Sequence, residues 1–100
     1  MKKLEIIVRE EKFNAVIEVL EDSGIGGVTV VEARGFGKHR NGLQPKKKID
    51  IYVDEFQVDK VVEMVRQVAK TGVTGDGKIA VLPLENVIKI RTGEDGALAI

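Results

Sequence analysis

The apolar residues of this chain repeat with a period of two, then of 3.6, then of two again, and the alternation occurs twice along its 100 residues. Residues 2–8 alternate and then run apolar through Leu4, Ile6, Ile7 and Val8, which suits a central strand. Phe13, Val16, Ile17 and Leu20 follow at the spacing of one helical face, ending before Gly24, Gly26 and Gly27. Val28 to Val31 reads as a second strand running toward Gly35-Phe36-Gly37, and Ile49, Ile51 and Val53 alternate with Asp50 and Tyr52 as a third. Val58, Val61, Val62, Val65 and Val68 or Ala69 draw a second helix, and Ile79 to Leu82 a fourth strand. The order β-α-β-β-α-β is that of the ferredoxin-like split βαβ unit, an α+β sandwich. Residues 1–100 form one domain, with no repeat, linker or low-complexity segment.

In such a sandwich both helices cover the same face of the sheet. Ile6-Ile7-Val8, Val28 to Val31 and Ala80-Val81-Leu82 nevertheless place apolar groups on both sides. The uncovered face is therefore expected to pack against partner subunits.

The most unusual local sequence is Thr71 to Lys78, TGVTGDGK. Glycines let backbone N–H groups approach an anion closely, and a lysine supplies the counter-charge, so this composition describes a phosphate cradle. Gly72 to Lys78 satisfies the opening of a Walker A motif, but Ile79 stands where a Mg²⁺-binding Ser or Thr belongs. A helical pattern precedes the glycines and a strand follows them, the reverse of a P-loop, so a P-loop NTPase is excluded. A plain helix-to-strand turn capped by glycine is the simpler alternative; three glycines with Asp76 and Lys78 favour the cradle.

Two further basic clusters could face the same anion. Arg34, Lys38, Arg40, Lys46, Lys47 and Lys48 lie in a window without acid from Ala33 to Ile49, and no periodicity is visible between Lys38 and Pro45. This reads as a loop, either simply solvated or with its base, Gly35-Phe36-Gly37-Lys38, turned to phosphates. Lys89-Ile90-Arg91-Thr92-Gly93 alternates as a strand would, placing Lys89 and Arg91 on one side to grip a polyphosphate.

Sixteen basic and 16 acidic residues give zero net charge, which argues against nucleic acid or a membrane surface as a general partner. The absence of cysteine excludes disulfides, zinc-thiolate sites and thiol catalysis. No apolar run approaches a membrane span and no signal-peptide pattern is present, so the cytoplasm is the expected address. With His39 the only histidine and Ser23 the only serine, neither a Ser-His triad nor a transition-metal site is expected.

The sequence TGVTGDGKIAVLPLENVIKIRTGEDGALAI is similar to the signature that runs from the B-loop to the C-terminus of the P-II family of nitrogen-regulatory signal-transduction proteins. Gly35-Phe36-Gly37 resembles the pattern opening that family's long T-loop, and the resemblance covers nearly the whole chain. It implies a homotrimer whose three inter-subunit clefts bind ATP or ADP as regulatory ligands, with Mg²⁺ able to accompany ATP. Residue by residue, it implies that Gly75, Asp76, Gly77 and Lys78 hold the phosphates, joined by Lys38 and, from the adjacent subunit, Lys89 and Arg91. Gly35, Phe36 and Gly37 lie beside them, and Thr29, Thr71 and the backbone near Tyr52 border the adenine. Lys38 and Lys89 stand where arginine is usual, keeping charge but losing bidentate geometry.

The departures concentrate in the T-loop. In most relatives it is roughly a dozen residues longer and bears a modifiable tyrosine, whereas here a short 38–46 remnant, with His39 to Pro45 between the strand ends, stands before the 71–78 B-loop and the 89–100 C-terminal segment. The sole tyrosine, Tyr52, falls inside the third strand. His39 occupies the position of a glutamine that helps bind Mg²⁺ and 2-oxoglutarate, and Lys46 matches the lysine that grips the 2-oxoglutarate carboxylate. Imidazole is a poor substitute ligand for Mg²⁺, so 2-oxoglutarate sensing is not expected.

The reading is a non-enzymatic adenine-nucleotide sensor in which cleft occupancy biases the 38–46 loop toward or away from a target protein, in nitrogen or related metabolism. The alternatives are a small ATPase or phosphotransfer enzyme using Asp76 or Asp50, a ferredoxin-like RNA-binding module, and a metal-binding trimer. Phe36 and Tyr52 are too few aromatics for an RNA stacking platform, and one histidine without cysteine disfavours the metal reading.

Overall fold

The computed structural model describes residues 1–38 and 42–100. It contains β1 (Lys2–Arg9), α1 (Phe13–Asp22), β2 (Thr29–Gly35), β3 (Gln44–Val53), α2 (Val58–Ala69) and β4 (Gly77–Pro83) in the expected order. Short 3-10 turns at Glu10–Lys12 and Glu55–Gln57 lead into the helices, and another closes the chain at Gly96–Ala99. The sheet order is β2-β3-β1-β4 with every neighbouring pair antiparallel, the ferredoxin-like arrangement.

The register between β1 and β3 explains the core. Leu4 lies opposite Ile51 and Ile6 opposite Ile49, so the two period-two patterns fall on one face. Leu4, Ile6, Val8, Ile49, Ile51 and Val53 are all at most 2% exposed, and Val16, Leu20, Val61, Val65 and Ala69 close the helices over them. A slip of one residue would bring Lys3 and Glu5 into that core, so the register is strongly specified.

The opposite face differs from the apolar surface inferred from sequence. Each apolar run splits between the faces, Ile6 and Val8 inward and Ile7 outward, because successive strand residues alternate. At its centre Glu5 lies directly opposite Asp50. This like-charged pair is bridged by Lys3, 2.9 Å from Glu5 and 4.0 Å from Asp50, and by Lys48, 3.9 Å from Glu5 and 3.8 Å from Asp50. Hydrogen bonding between Lys3 and Glu5 raises the lysine pKa and lowers that of the glutamate. Apolar groups such as Ile7, Val31 and Tyr52 surround this cluster.

The third strand is longer than its apolar period suggested. It begins at Gln44, so Gln44, Pro45 and Lys46, assigned from sequence to the 38–46 loop, are paired opposite Gly35, Arg34 and Ala33, and the connection is 36–43. Beyond the core nothing requires apolar residues, and charge pairing holds the ladder. Lys47 meets Glu32, approaches Glu10 at 3.9 Å and lies 5.2 Å over the Phe13 ring. Because β1 ends opposite Lys46, Pro45 has a sheet neighbour on one side only, where a missing N–H is tolerated.

Ile6→Ala should destabilise the protein by about 2–5 kcal/mol, the usual cost of emptying a fully buried aliphatic site. Lys60→Ala, on the exposed side of α2, should stay within about 0.5 kcal/mol of the parent. Denaturant unfolding of both variants checks this.

Candidate functional site

Between α2 and β4 the chain makes a turn organised around one carboxylate. Asp76 accepts hydrogen bonds from the Thr71 amide at 2.8 Å, the Gly72 amide at 2.9 Å and the Thr71 hydroxyl. The Arg9 guanidinium, at the end of β1, donates Nε–H to the same carboxylate at 3.1 Å and Nη2–H to the Thr74 carbonyl at 2.7 Å. From β3, the Lys46 ammonium donates to the Gly75 carbonyl at 2.8 Å. The amides of Thr74, Gly75 and Asp76 have no acceptor among the described residues. Gly77 then enters β4 at φ 107°, where an added Cβ would lie 1.7 Å from the Ile7 carbonyl oxygen. Only glycine lets the strand begin so close to β1.

The Asp76 carboxylate therefore shapes this turn, its oxygens taken up by the turn's own donors and by Arg9. The Thr71 hydroxyl and amide, the Gly72 amide and Arg9 hold its carboxyl well below the usual carboxylate range. Thr71, expected beside the adenine, belongs to this turn. Lys78 is exposed in β4 opposite Ile7, with its side chain on the helix-free face. Gly35 ends β2 at the same end of the sheet as Arg9 and Lys46, with exposed Phe36, Gly37 and Lys38 beyond it.

Thr29 and Tyr52 lie elsewhere. With Asp50, Gly27 and the C-terminal Ile100 they line a second cavity of about 230 Å³. Asp50 Oδ1 is buried there without a hydrogen-bond partner among the described residues, 3.8 Å from the Lys48 ammonium; the sequence reading named Asp50 only for the alternative of a phosphotransfer enzyme. Thr29 pairs with Asp50 on β3, and Lys78 pairs with Ile7 on β1. At strand spacings of about 4.8 Å and a rise of about 3.3 Å per residue, these positions are about 16 Å apart across the sheet. The Lys3–Glu5–Lys48–Asp50 cluster lies between them.

The third basic cluster is a closed turn, not the expected strand. Ile88 bridges to Asp95, the Lys89 amide donates to the Glu94 carbonyl at 2.8 Å, and the Gly93 amide donates to the Lys89 carbonyl at 2.8 Å. Gly93 adopts φ 73°, which reverses the chain. Lys89 sits 3.7 Å from Glu94, and among the described residues no hydrogen bond or ion pair joins Lys89 or Arg91 to the 71–78 turn. Ile88 and Ile90 on the same segment are strongly exposed. His39 and Arg40 lie outside the described residues. No cluster of acids and histidine able to hold a metal exists among the described residues.

Arg9 and the bracing role of Lys46 were missed from sequence. Arg9 meets a residue 67 positions away, and only the juxtaposition of β1 with β4 reveals it. Because the folded-state pKa of Asp76 is depressed, its stabilising contribution is complete above its ordinary value of 3.8 and disappears as pH falls below that. The stability difference between the parent and Asp76→Asn should thus be constant from pH 7 to about 5 and shrink below pH 4, as read by denaturant unfolding across pH.

The family model described as nitrogen regulatory protein P-II matches residues 1–94. A nitrogen regulatory protein P-II of Azospirillum brasilense is 41% identical and one of Synechocystis sp. 43% identical, each alignment covering 100% of both chains. These alignments span 112 positions against 100 residues here, a difference of 12. The crystal structure of Arabidopsis thaliana PII bound to citrate matches with a TM-score of 0.86 at 43% identity, over 98% of this chain and 87% of that one. With sequence agreement along its whole length and the same fold, this chain belongs to the P-II family of nitrogen regulatory proteins, signal-transduction components that are not enzymes.

Proposed function

We propose that this chain forms a homotrimer that binds ATP or ADP in clefts between subunits, and that cleft occupancy biases the 36–43 connection toward or away from a target protein. The observation that carries this reading is the separation of two half-sites within one subunit. The cradle at Gly75–Lys78 and the cavity beside Thr29 and Tyr52 are separated by two carboxylates on the sheet face, across which a polyphosphate would not lie. A second copy supplies the missing half.

In this arrangement the free amides of Gly75 and Asp76, together with Lys78 and Lys38, hold phosphate oxygens of a nucleotide. The neighbouring subunit brings Thr29 and Tyr52 to the base and Lys89 and Arg91 to the phosphates. The exposed Ile88 and Ile90, on the segment carrying Lys89 and Arg91, suit burial against that neighbour. Mg²⁺ arriving with ATP would be held by phosphate oxygens and water, since the described residues offer no cage. The carboxylate nearest the cradle, Asp76, is saturated and held ionised, a poor general base, which favours binding over hydrolysis. Citrate on the Arabidopsis relative supports an anionic effector more broadly. No helix is long and apolar enough to cross a membrane, and a cytoplasmic setting, where nucleotides are abundant, fits this role.

Light scattering should give three times the 11.0 kDa subunit mass. Lys78→Ala and Arg91→Ala should each weaken ATP and ADP binding about tenfold or more, because each removes a charge-assisted hydrogen bond to phosphate. Mixing the two variants as unfolded chains and refolding them should restore parental affinity in about a quarter of the clefts, since a random trimer then contains some sites built from two intact halves. No restoration would mean that Lys78 and Arg91 act within one subunit or not on the nucleotide.

The replacement of a glutamine by His39 leads to a further expectation. Millimolar 2-oxoglutarate with Mg²⁺-ATP should leave the ATP dissociation constant within about twofold, whereas true linkage is typically about 5–150-fold and reciprocal. Calorimetry on the parent and on His39→Gln checks this, and coupling confined to the variant would assign its loss to His39.

A further inference from the structure

We propose that Arg9 and Lys46 are positioning residues of the phosphate cradle, which aim its amides by holding its carbonyls. A planar trans peptide carries C=O and N–H on opposite sides, so fixing the direction of one fixes the other. Arg9 Nη2 holds the Thr74 carbonyl at 2.7 Å, which points the Gly75 N–H away from Arg9. The Lys46 ammonium holds the Gly75 carbonyl at 2.8 Å, which points the Asp76 N–H away from Lys46. Those two amides, like that of Thr74, are left without an acceptor among the described residues.

The clamps are anchored in rigid structure. Arg9 and Lys46 are directly opposite one another on β1 and β3. Two cations so placed repel, a local cost that sheets normally avoid. Here the carbonyl dipoles and the Asp76 carboxylate offset it. Arg9 is itself oriented at two points, because its Nε donates to Asp76 at 3.1 Å while Nη2 reaches Thr74. Asp76 is in turn fixed by the amides of Thr71 and Gly72. Without these clamps the turn, with Gly75 and Gly77 both at positive φ, would have to order its amides at the moment of binding. Donors already aimed avoid that cost.

This assignment rests on the nucleotide reading above and is distinct from a simple attraction between two cations and phosphate. Lysine at position 9 keeps the charge but loses the two-point fork. The test compares ATP, ADP and adenosine binding over a range of salt for the parent, Arg9→Lys, Arg9→Gln and Lys46→Met. It adds ¹⁵N relaxation of the Gly75 and Asp76 amides in nucleotide-free protein, with thermal melts to establish that each variant folds.

All three variants are expected to bind ATP and ADP about tenfold more weakly, with adenosine affinity and the salt slope unchanged. The two amides should be as ordered as the sheet in the parent, with order parameters near about 0.85, and fall toward about 0.6 in the variants. Parental affinity in Arg9→Lys combined with loss and a shallower salt slope in Arg9→Gln would overturn the proposal, making Arg9 a direct phosphate ligand. Unchanged amide order in folded variants would overturn it equally. A parent that binds neither nucleotide would sink the nucleotide reading instead, and the ligand-free relaxation alone would then decide whether the clamps hold the turn.

Discussion

The geometry of the 71–78 turn is set far from it, by the apolar register of β1 against β3. Once Leu4 faces Ile51 and Ile6 faces Ile49, every other cross-strand neighbour follows at the period of two. Glu5 must meet Asp50 on the open face, and Arg9 must meet Lys46 where β1 ends. Burial of six aliphatic side chains at about 1.5–3 kcal/mol each outweighs the repulsion in two half-buried like-charged pairs, each compensated by opposite charges beside it. The core therefore imposes charge juxtapositions that the surface would not choose for itself.

The two juxtapositions are resolved differently, and the difference has chemical meaning. Around Glu5 and Asp50 two lysines complete a compact, balanced cluster that turns no excess charge outward. Around Arg9 and Lys46 there are two carboxylates, Asp76 and, 3.8 Å from Arg9, Glu11, together with two neutral carbonyls. These charges balance, and Lys78, on the same face one strand away, adds a positive charge with no ion-pair partner among the described residues. A chain of zero net charge thus leaves one lysine, Lys78, without a partner among the described residues beside this turn.

Periodicity made the elements and the core legible, because a buried strand or helix face must be apolar at fixed spacing. It failed where pairing is held by charge. Gln44 to Lys46 carry no apolar alternation, so the start of β3 read as part of the 38–46 loop. The 71–78 glycines marked a tight turn, but the sequence did not show that the Asp76 carboxylate accepts from the turn's own amides and from Arg9. Lys89 and Arg91 alternate like a strand, but Gly93 folds that segment back on itself. Arg9 left no local trace at all. Side chains that act across the sheet are visible only once the register is known.

The same register bears on how the 71–78 turn keeps its shape in a chain of 100 residues whose alignments with its relatives span 112 positions. All four strands and both helices are present, and the match to the Arabidopsis structure extends over 98% of this chain. The missing length therefore falls in connections. The groups that shape the cradle, Arg9, Lys46, Asp76 and Gly77, come from β1, β3, the 71–76 turn and β4, and none belongs to the 36–43 connection. Lengthening or shortening that connection leaves the β1–β3 register and hence the aim of the cradle amides unchanged, at a loop-closure cost that grows only logarithmically with length. On the function proposed above, the anion would bind on strands and a turn fixed by the core register, and the 36–43 connection could change in length without disturbing it.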